Sequence, residues 1–336
     1  MEAFKYSNPL NSSDMKCPRK HAFRMGKFGL SLVSTVVAII LFVGVFEVVE
    51  NIRYSIWREN FDNFGWFGKI TVPSENPVLM WEYRPYGEFQ QIKTNRWGFR
   101  DADYESMEKP ENTFRIAFAG DSITLGMSVS AQETFVRQFE AEANKVNSQR
   151  IQALNFGIDG YHAIQISELI RTKVLAFSPD IVVYAMCLND FDFNQSSGRK
   201  IRYFKKPKSW ILYRLDRLYR KLSRAEFHLY NFGKNKKVVL QSLLDVRDML
   251  EKAGVGFQII VLPIFTGSSF DEYPIRQMHE ELGDFFVENG IRYLDLLEPF
   301  SRQGQAPQHF SFDIWHPNVE GHRFIAGQSL ASILPD

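Results

Sequence analysis

Two widely separated stretches of this chain carry residue types that can together move a proton and attack a carbonyl carbon. "AFAGDSITLG" places Ser122 behind a glycine and an aspartate at the end of an apolar run, and "FDIWHPNVEGH" places Asp313 three residues before His316. A serine hydroxyl is a poor nucleophile until a base takes its proton. An imidazole serves best as that base when a carboxylate fixes its tautomer and stabilises the imidazolium. The Asp-x-x-His spacing can bring both side chains to one side of a turn. Attack on a carbonyl also creates an oxyanion, which needs hydrogen-bond donors already in place. The backbone N–H of Ser122, that of Gly160 in "GIDGYHA" and the side-chain amide of Asn189 in "CLND" are the candidates.

Those residues need a scaffold that gathers them. "FRIAFAG", "IQALNFG", "DIVVYAMCL", "FQIIVLPIF" and "IRYLDLL" read as five strands separated by stretches of helical period. Ser130 and Glu133 form a capping box ahead of a helix carrying Phe135, Val136, Phe139, Ala143 and Val146. The next helix carries Ile166, Leu169, Ile170 and Val174, and further helices are expected over residues 236–253, ended by Gly254, 273–289 and 319–334. Strands alternating with helices imply right-handed crossovers and a parallel sheet covered on both faces. The expected fold class is α/β, a three-layer α/β/α flavodoxin-like domain with a five-stranded parallel sheet. In such sheets sites gather at the carboxyl ends of the strands. Ser122 follows the first strand, Gly160 the second and Asn189 the third, so all three should converge on one rim.

The four blocks, in this order, resemble the SGNH hydrolases, or GDSL-type esterases, over roughly residues 113–333. "GDS" with Ser122 matches the nucleophile block, Gly160 the glycine block, Asn189 the asparagine block, and Asp313 with His316 in "DIWH" the terminal block. The resemblance implies an SGNH hydrolase fold with Ser122 as nucleophile, His316 as base and Asp313 as its orienter. It further implies an oxyanion hole of Ser122, Gly160 and Asn189, and neither metal nor organic cofactor. One position departs from the family, whose asparagine block begins with glycine where this chain has Cys187. A larger side chain there can reshape the acyl pocket or mark a degraded site; retention of Asn189 favours a tolerated substitution.

Several of these residues, taken singly, have a purely structural reading. Alone, Ser122 reads as well as a helix N-cap and Gly160 as a turn residue; their joint occurrence with the other blocks favours chemistry. Asp121 and Asp190 are read as loop braces, Asp159 as a turn residue and Cys187 as a packed thiol rather than a second nucleophile. His162, His228, His279, His309 and His322 are read as surface or hydrogen-bonded core residues, since no spacing among them suits zinc. No Gly-x-Ser-x-Gly elbow is present, which argues against the α/β-hydrolase fold.

Composition places this domain in a larger plan. With 336 residues, 45% hydrophobic and 24% charged, the chain suits a globular body with appendages and excludes fibrous and disordered classes. The net charge of +1 hides a strong asymmetry: residues 1–28 carry six Lys/Arg against two acids, and residues 199–237 carry fourteen against two. The remaining body is acidic, which argues against nucleic acid as a partner. Cys17 and Cys187 are the only cysteines, and Cys17 precedes the apolar segment, so no disulfide framework is expected.

"FGLSLVSTVVAIILFVGVF", Phe28 to Phe46, holds nineteen residues without a charge, a length that spans about 28 Å as a helix and matches a bilayer core. A transmembrane helix over 28–48 is expected, and a cleaved signal peptide is disfavoured because "EVVENIRYS" offers no small-x-small site. Lys16, Arg19, Lys20, Arg24 and Lys27 precede it, so a cytoplasmic basic tail over 1–27 and an extracytoplasmic C-terminal part are expected. Residues 49–112 read as a juxtamembrane spacer and extended leader whose Trp57, Trp66, Trp81 and Trp97 more readily cover a core edge than stack on sugars. Residues 113–336 read as the catalytic domain, interrupted by the basic insertion 199–237.

In that insertion Ile211, Leu212, Leu215, Leu218, Tyr219 and Leu222 make an apolar stripe, with Arg214, Arg217, Arg220, Lys221 and Arg224 opposite. A surface helix packed on the domain, contact with anionic lipid and binding of an acidic polymer are the competing uses, the first preferred. The sequence thus reads as a membrane-anchored serine esterase hydrolysing acyl esters, O-acetyl esters of envelope or exported polysaccharide foremost, because "TNRWGFRD" resembles the leader of membrane-anchored relatives linked to exopolysaccharide. O-acyl transfer to a polysaccharide, lipid ester hydrolysis and a non-catalytic glycan-binding module on the same fold are the alternatives.

Overall fold

The computed structural model describes residues 27–59, 69–193, 206–222 and 224–334. The expected basic tail up to residue 26, and residues 199–205 and 223 of the basic insertion, lie outside the described residues. The chain divides into two compact units, Met1–Val49 and Glu50–Asp336. Helix α1 (Lys27–Glu59) supplies the described part of the first unit, and by length and composition its stretch Ser31–Trp57 is sufficient to cross a membrane.

The second unit is built on five parallel strands: β5 (Thr113–Gly120), β6 (Arg150–Gly157), β7 (Ile181–Cys187), β8 (Gly256–Leu262) and β9 (Arg292–Asp295), in the order β6-β5-β7-β8-β9. This is the flavodoxin-type order, with the first strand inside and the chain reversing direction around it. Every residue of β7 is buried, as a parallel strand covered on both faces must be. The register pairs Gly120 with Gly157 on one side and with Ala185 on the other, so the ends of β5, β6 and β7 share one edge. Ahead of the sheet, two short antiparallel pairs, β1 (Thr71–Pro73) with β2 (Trp81–Tyr83) and β3 (Glu88–Phe89) with β4 (Ile92–Lys93), form the leader.

The covering helices are α2 (Ser122–Leu125), α3 (Phe135–Val146), α4 (Ala163–Thr172), α5 (Trp210–Leu222), α6 (Arg224–Lys252), α7 (Arg276–Glu288), α8 (Leu297–Ser301) and α9 (Val319–Ile333). Three details differ from the sequence pattern. Glu133 does accept the backbone N–H of Ser130 at 3.0 Å, but that pair closes a 3₁₀ turn, and α3 begins one residue after its own N-cap Thr134. Val146, the last residue of α3, is exposed; Phe135, Val136, Phe139 and Ala143 are the buried face. The helix expected from 236 starts at Arg224, so it absorbs the end of the basic insertion.

Trp66 of the leader lies outside the described residues; Trp81, Trp97 and Phe99 cover the core. Trp81 is fully buried against Tyr161 with ring centroids 5.4 Å apart, Trp97 meets Phe177 edge-on at 5.8 Å, and Phe99 meets Phe156 at 4.6 Å. The apolar stripe of α5 is exposed at Leu212, Leu215, Leu218, Tyr219 and Leu222, while the helix is held through Trp210, 2% exposed with its ring 5.5 Å from that of Tyr54, and through Arg214, paired with Glu50 at 2.7 Å.

Candidate active site

Ser122 is the first residue of α2, a single helical turn set directly on the end of β5. Asp121 is its N-cap and accepts the N–H of Ile123 at 2.9 Å. Two glycines permit this close seating. A Cβ on Gly120 would stand 2.1 Å from Thr124 Oγ1, and one on Gly157 would stand 2.1 Å from the backbone N of Leu125. The turn ends at Gly126, whose φ of +72° closes it in the left-handed region that glycine adopts without strain.

His316 arrives from the far end of the chain, on the loop before α9. Its Nε2 lies 3.1 Å from Ser122 Oγ, and its Nδ1 lies 2.8 Å from Asp313 Oδ2. The other oxygen of Asp313 accepts the backbone N–H groups of Trp315 at 2.7 Å and His316 at 2.8 Å, so one carboxylate folds the turn and holds the ring. Burial opposes the charge on His316, but the hydrogen bond and charge of Asp313, with Asp121 and Asp159 beyond, outweigh it and raise its pKa above the usual imidazole value. Burial likewise opposes ionisation of Asp313, yet the hydrogen bonds from His316 and the loop backbone bring it down to about 2. A hydroxyl, an imidazole and a carboxylate in this line can generate a nucleophile.

Gly160 and Asn189 stand on the same rim. Gly160 lies three residues past the end of β6, buried, at φ +77°, in a loop tied back by the N–H of Ile158 to Gly120 O at 3.0 Å. Asn189 lies in the 3₁₀ turn Leu188–Phe191 after β7, and its side-chain amide reaches Asp121 Oδ2 at 3.4 Å. Asp121 therefore joins the Ser122 turn to the Asn189 turn, and burial pushes its pKa up to about 6. Asp190 accepts the Tyr184 hydroxyl at 2.8 Å and the Cys187 N–H at 3.1 Å through one oxygen, a loop brace. Burial first, and then the charge of Asp121, hold its pKa well above the carboxylate range. Cys187 is wholly buried, and burial raises its pKa as well, which suits an inert packed thiol.

The other histidines sort accordingly. His322 accepts the N–H of Phe135 at 3.1 Å, and burial lowers its pKa to about 3, keeping it a neutral acceptor. His279 is hydrogen-bonded to Asp295 at 2.8 Å, and His309 lies 3.5 Å from Glu320. His162 and His228 are buried, in ring contact with Phe193 and Trp315 respectively.

Several site residues escape a motif reading, and most are in the leader. The guanidinium of buried Arg100 donates to the carbonyls of Leu125 at 3.0 Å, Gly126 and Val129 at 2.8 Å, satisfying the buried C-terminal end of the Ser122 turn. Asn155 on β6 adds a bond to Thr124 O at 2.8 Å. Asn95 folds the loop that delivers Arg100, accepting the N–H groups of Trp97 at 2.9 Å and Phe99 at 3.0 Å. Tyr83 accepts the N–H of Asp159 at 3.1 Å, and Tyr161 donates to Trp81 O, so the leader also grips the glycine block. The only sequence signal for these roles is the density of Asn, Gly and Arg in "TNRWGFRD".

The family model for the GDSL-like lipase/acylhydrolase family matches residues 118–324, more than half of the chain. No curated protein matches in sequence. Solved structures similar in fold include an acetyl xylan esterase, 16% identical, covering 66% of this chain and 100% of that one with a TM-score of 0.47. A catalytic mutant of an acetylxylan esterase from Geobacillus stearothermophilus is 16% identical over 66% of this chain and 94% of that one, with a TM-score of 0.48. A member of the lipolytic G-D-S-L family from Veillonella parvula is 17% identical over 66% and 98%, with a TM-score of 0.41.

Proposed function

The chain belongs to the GDSL-like lipase/acylhydrolase family and is a serine ester hydrolase, and from that premise we propose that Ser122, His316 and Asp313 are its nucleophile, base and orienter. The observation that carries the proposal is the hydrogen-bonded line from Ser122 Oγ through His316 to Asp313, 3.1 Å and then 2.8 Å long. Ser122 Oγ attacks the ester carbonyl carbon as His316 Nε2 takes its proton. The oxyanion that forms is met by the backbone N–H groups of Ser122 and Gly160 and by the Asn189 amide. Collapse breaks the carbon–oxygen bond to the alcohol, which leaves with the proton from His316, and Ser122 remains acylated. Water then attacks, giving its proton to His316; the acid departs and Ser122 Oγ regains the proton.

The proposed substrate is an O-acetyl ester on a polysaccharide at the cell envelope. Among the described residues the rim beside His316 is open: the Asp313 side chain is 52% exposed and Phe312 is exposed next to it. A long acyl chain calls for an enclosed apolar channel, whereas a small acyl group on a bulky hydrophilic alcohol is suited by an open rim with an aromatic face. The protein is proposed to sit in the membrane by α1, with its N-terminus cytoplasmic and the catalytic unit outside, as the basic residues before α1 direct.

A fluorophosphonate probe tests the site, and acetate release from O-acetylated polysaccharide tests the substrate. The native chain should be labelled and Ser122→Ala should not; labelling or hydrolysis that survives in Ser122→Ala overturns the assignment. Acetate appearing on an added acceptor sugar instead of in solution would redirect the reading to acyl transfer.

A further inference from the structure

Asn155 holds two pieces of the site at once. It is 2% exposed near the end of β6; its side-chain Nδ2 donates to Thr124 O at 2.8 Å, and its Oδ1 accepts the N–H of Gly157 at 2.9 Å. The first partner belongs to the one-turn helix that opens with Ser122, and the second stands three residues before Gly160. Neither end of this amide can be reversed, because a carbonyl takes a donor and an N–H takes an acceptor.

The chain's course explains why a side chain is used here. β6 is an edge strand, so alternate N–H groups face away from the sheet. Side chains take them in turn: Ile151 N–H goes to Asn144 at 2.9 Å, Ala153 N–H to Glu140 at 3.2 Å and Asn155 N–H to Asp101 at 2.7 Å. Gly157 N–H is next in that row, and the Asn155 side chain turns along its own strand to take it. On the other side, the N–H groups of Leu125, Gly126 and Met127 go to the carbonyls of Asp121, Ser122 and Ile123, and Thr124 O is taken by the Asn155 amide.

The pieces that Asn155 joins are in direct backbone contact. A Cβ on Gly157 would stand 2.1 Å from the backbone N of Leu125, and the N–H of Ile158 reaches Gly120 O at 3.0 Å. An oxyanion donor works within about 2.7–3.1 Å of the place the oxyanion takes, and a misplacement of about 1 Å can cost on the order of 10²-fold in rate. Ser122 and Gly160 follow different strands, so their two N–H groups meet that limit together when the Ser122 turn and the loop after β6 keep one fixed separation.

We propose that Asn155 is a positioning residue for the oxyanion hole, setting the separation of the Ser122 turn from the Gly160 loop through a planar group with a donor at one end and an acceptor at the other. The inference rests on the reading of Ser122 as nucleophile and of Gly160 as a donor to the oxyanion. A serine at this position can still accept from Gly157 but is too short to reach Thr124 O, and a leucine fills the volume while bonding to neither.

The test compares the detergent-solubilised full chain with Asn155→Ser and Asn155→Leu. Active sites are titrated to completion with a fluorophosphonate, so that partial unfolding lowers the number of sites and not the kcat assigned to each. Turnover is read on p-nitrophenyl acetate. A trifluoromethyl ketone reports the oxyanion directly: its carbonyl carbon bonds to Ser122 Oγ, its oxygen takes the oxyanion's place, and the serine proton passes to His316. Both variants should lose on the order of 10²-fold in kcat and a similar factor in affinity for the ketone, with KM within about twofold of native. A native kcat per titrated site with only a lower Tm makes Asn155 a brace of the fold alone and overturns the proposal, as does a loss confined to KM. Turnover that survives in Ser122→Ala fails the nucleophile reading and this inference with it, whereas an inactive Ser122→Ala beside an Asn155→Ser with native kcat and ketone affinity fails this inference alone.

Discussion

Replacing Asp313 by asparagine and by alanine separates what the carboxylate does to the tautomer of His316 from what its charge does. In Asp313→Asn the side-chain oxygen stays with the two backbone donors, Trp315 and His316, that now hold Oδ1 at 2.7 and 2.8 Å. The amide NH₂ is then the group facing His316 Nδ1, which must act as acceptor while Nε2 carries the hydrogen. An N–H, rather than a lone pair, points at Ser122 Oγ, and the base is disabled. In a serine-protease triad this tautomer error costs on the order of 10⁴ in kcat.

Alanine leaves the ring free to choose its tautomer and removes charge and orientation only. Unit charges about 4 Å apart are worth roughly 1 kcal/mol in water and about 4 kcal/mol at an effective dielectric of 20. With the Asp313 side chain 52% exposed, solvent screening holds the value near the lower figure, about fivefold in rate. Misorientation adds up to about another tenfold to hundredfold. Asp313→Ala is therefore expected to lose about 50-fold to 500-fold in kcat/KM and Asp313→Asn about 10⁴-fold.

The pH profile carries the sign. With His316 as the proposed base the neutral imidazole is the active form, so kcat/KM should rise with pH through the raised pKa of His316. Asp313→Ala removes the two largest influences that raise it, leaving burial to pull the acid limb to lower pH. The measurement is kcat/KM on p-nitrophenyl acetate from about pH 5 to about pH 9 at constant ionic strength. An asparagine variant as active as the alanine variant, or an acid limb that moves to higher pH in the alanine variant, refutes the orienter role.

Three further perturbations follow from the geometry. Asn189→Ala should lower kcat by on the order of 10²-fold to 10³-fold with KM little changed, the signature of a donor used only in the transition state; a KM effect alone would assign Asn189 to ground-state binding. Arg100→Met strips the donors from three buried carbonyls around the nucleophile turn. A loss of roughly 3 kcal/mol and ~10 °C in Tm is expected, with kcat falling and Arg100→Lys rescuing part of both; unchanged kcat would make the residue purely structural. Burial and the charge of Asp121 raise the pKa of Asp190 in the fold, so its contribution is complete below the unfolded carboxyl value near pH 4 and declines as pH rises toward the raised one. Asp190→Asn should flatten that decline by about 1.4 kcal/mol per pH unit, read from urea unfolding across the range; parallel native and variant curves would show an ionised Asp190.

The sheet and its rim were legible because physics writes them locally. Strands buried on both faces must be continuous apolar runs, as β7 is at all seven positions, and the site blocks sit at strand ends where a sheet edge leaves backbone and side chains free. The direction in which α5 faces was not legible. Its stripe has perfect helical spacing, yet the side that meets the body is chosen by Trp210 with Tyr54 and Arg214 with Glu50, partners some 160 residues away in sequence. Val146 failed for a related reason: periodicity marks a face but not the residue at which the helix ends.

The leader shows why a motif reading stops short of the working unit. Its residues touch no reacting atom, and they act on backbone carbonyls and amides, which leave no side-chain signature in the partner sequence. Arg100 closes the carbonyl end of α2 and Asn155 supports it from β6, while Asp121 serves the amide end; a one-turn helix has no interior hydrogen bonds to spare, so its position depends on what is supplied at both ends. Tyr83 and Tyr161 tie the same leader to the loop of Gly160. The nucleophile block and the glycine block are thus braced from residues 81–100, ahead of the first strand that the motifs would take as the start of the domain. Stability supplied by the leader is supplied to the two blocks whose relative placement the chemistry needs, and that coupling is a physical reason for a catalytic unit to extend back toward α1 rather than begin at β5.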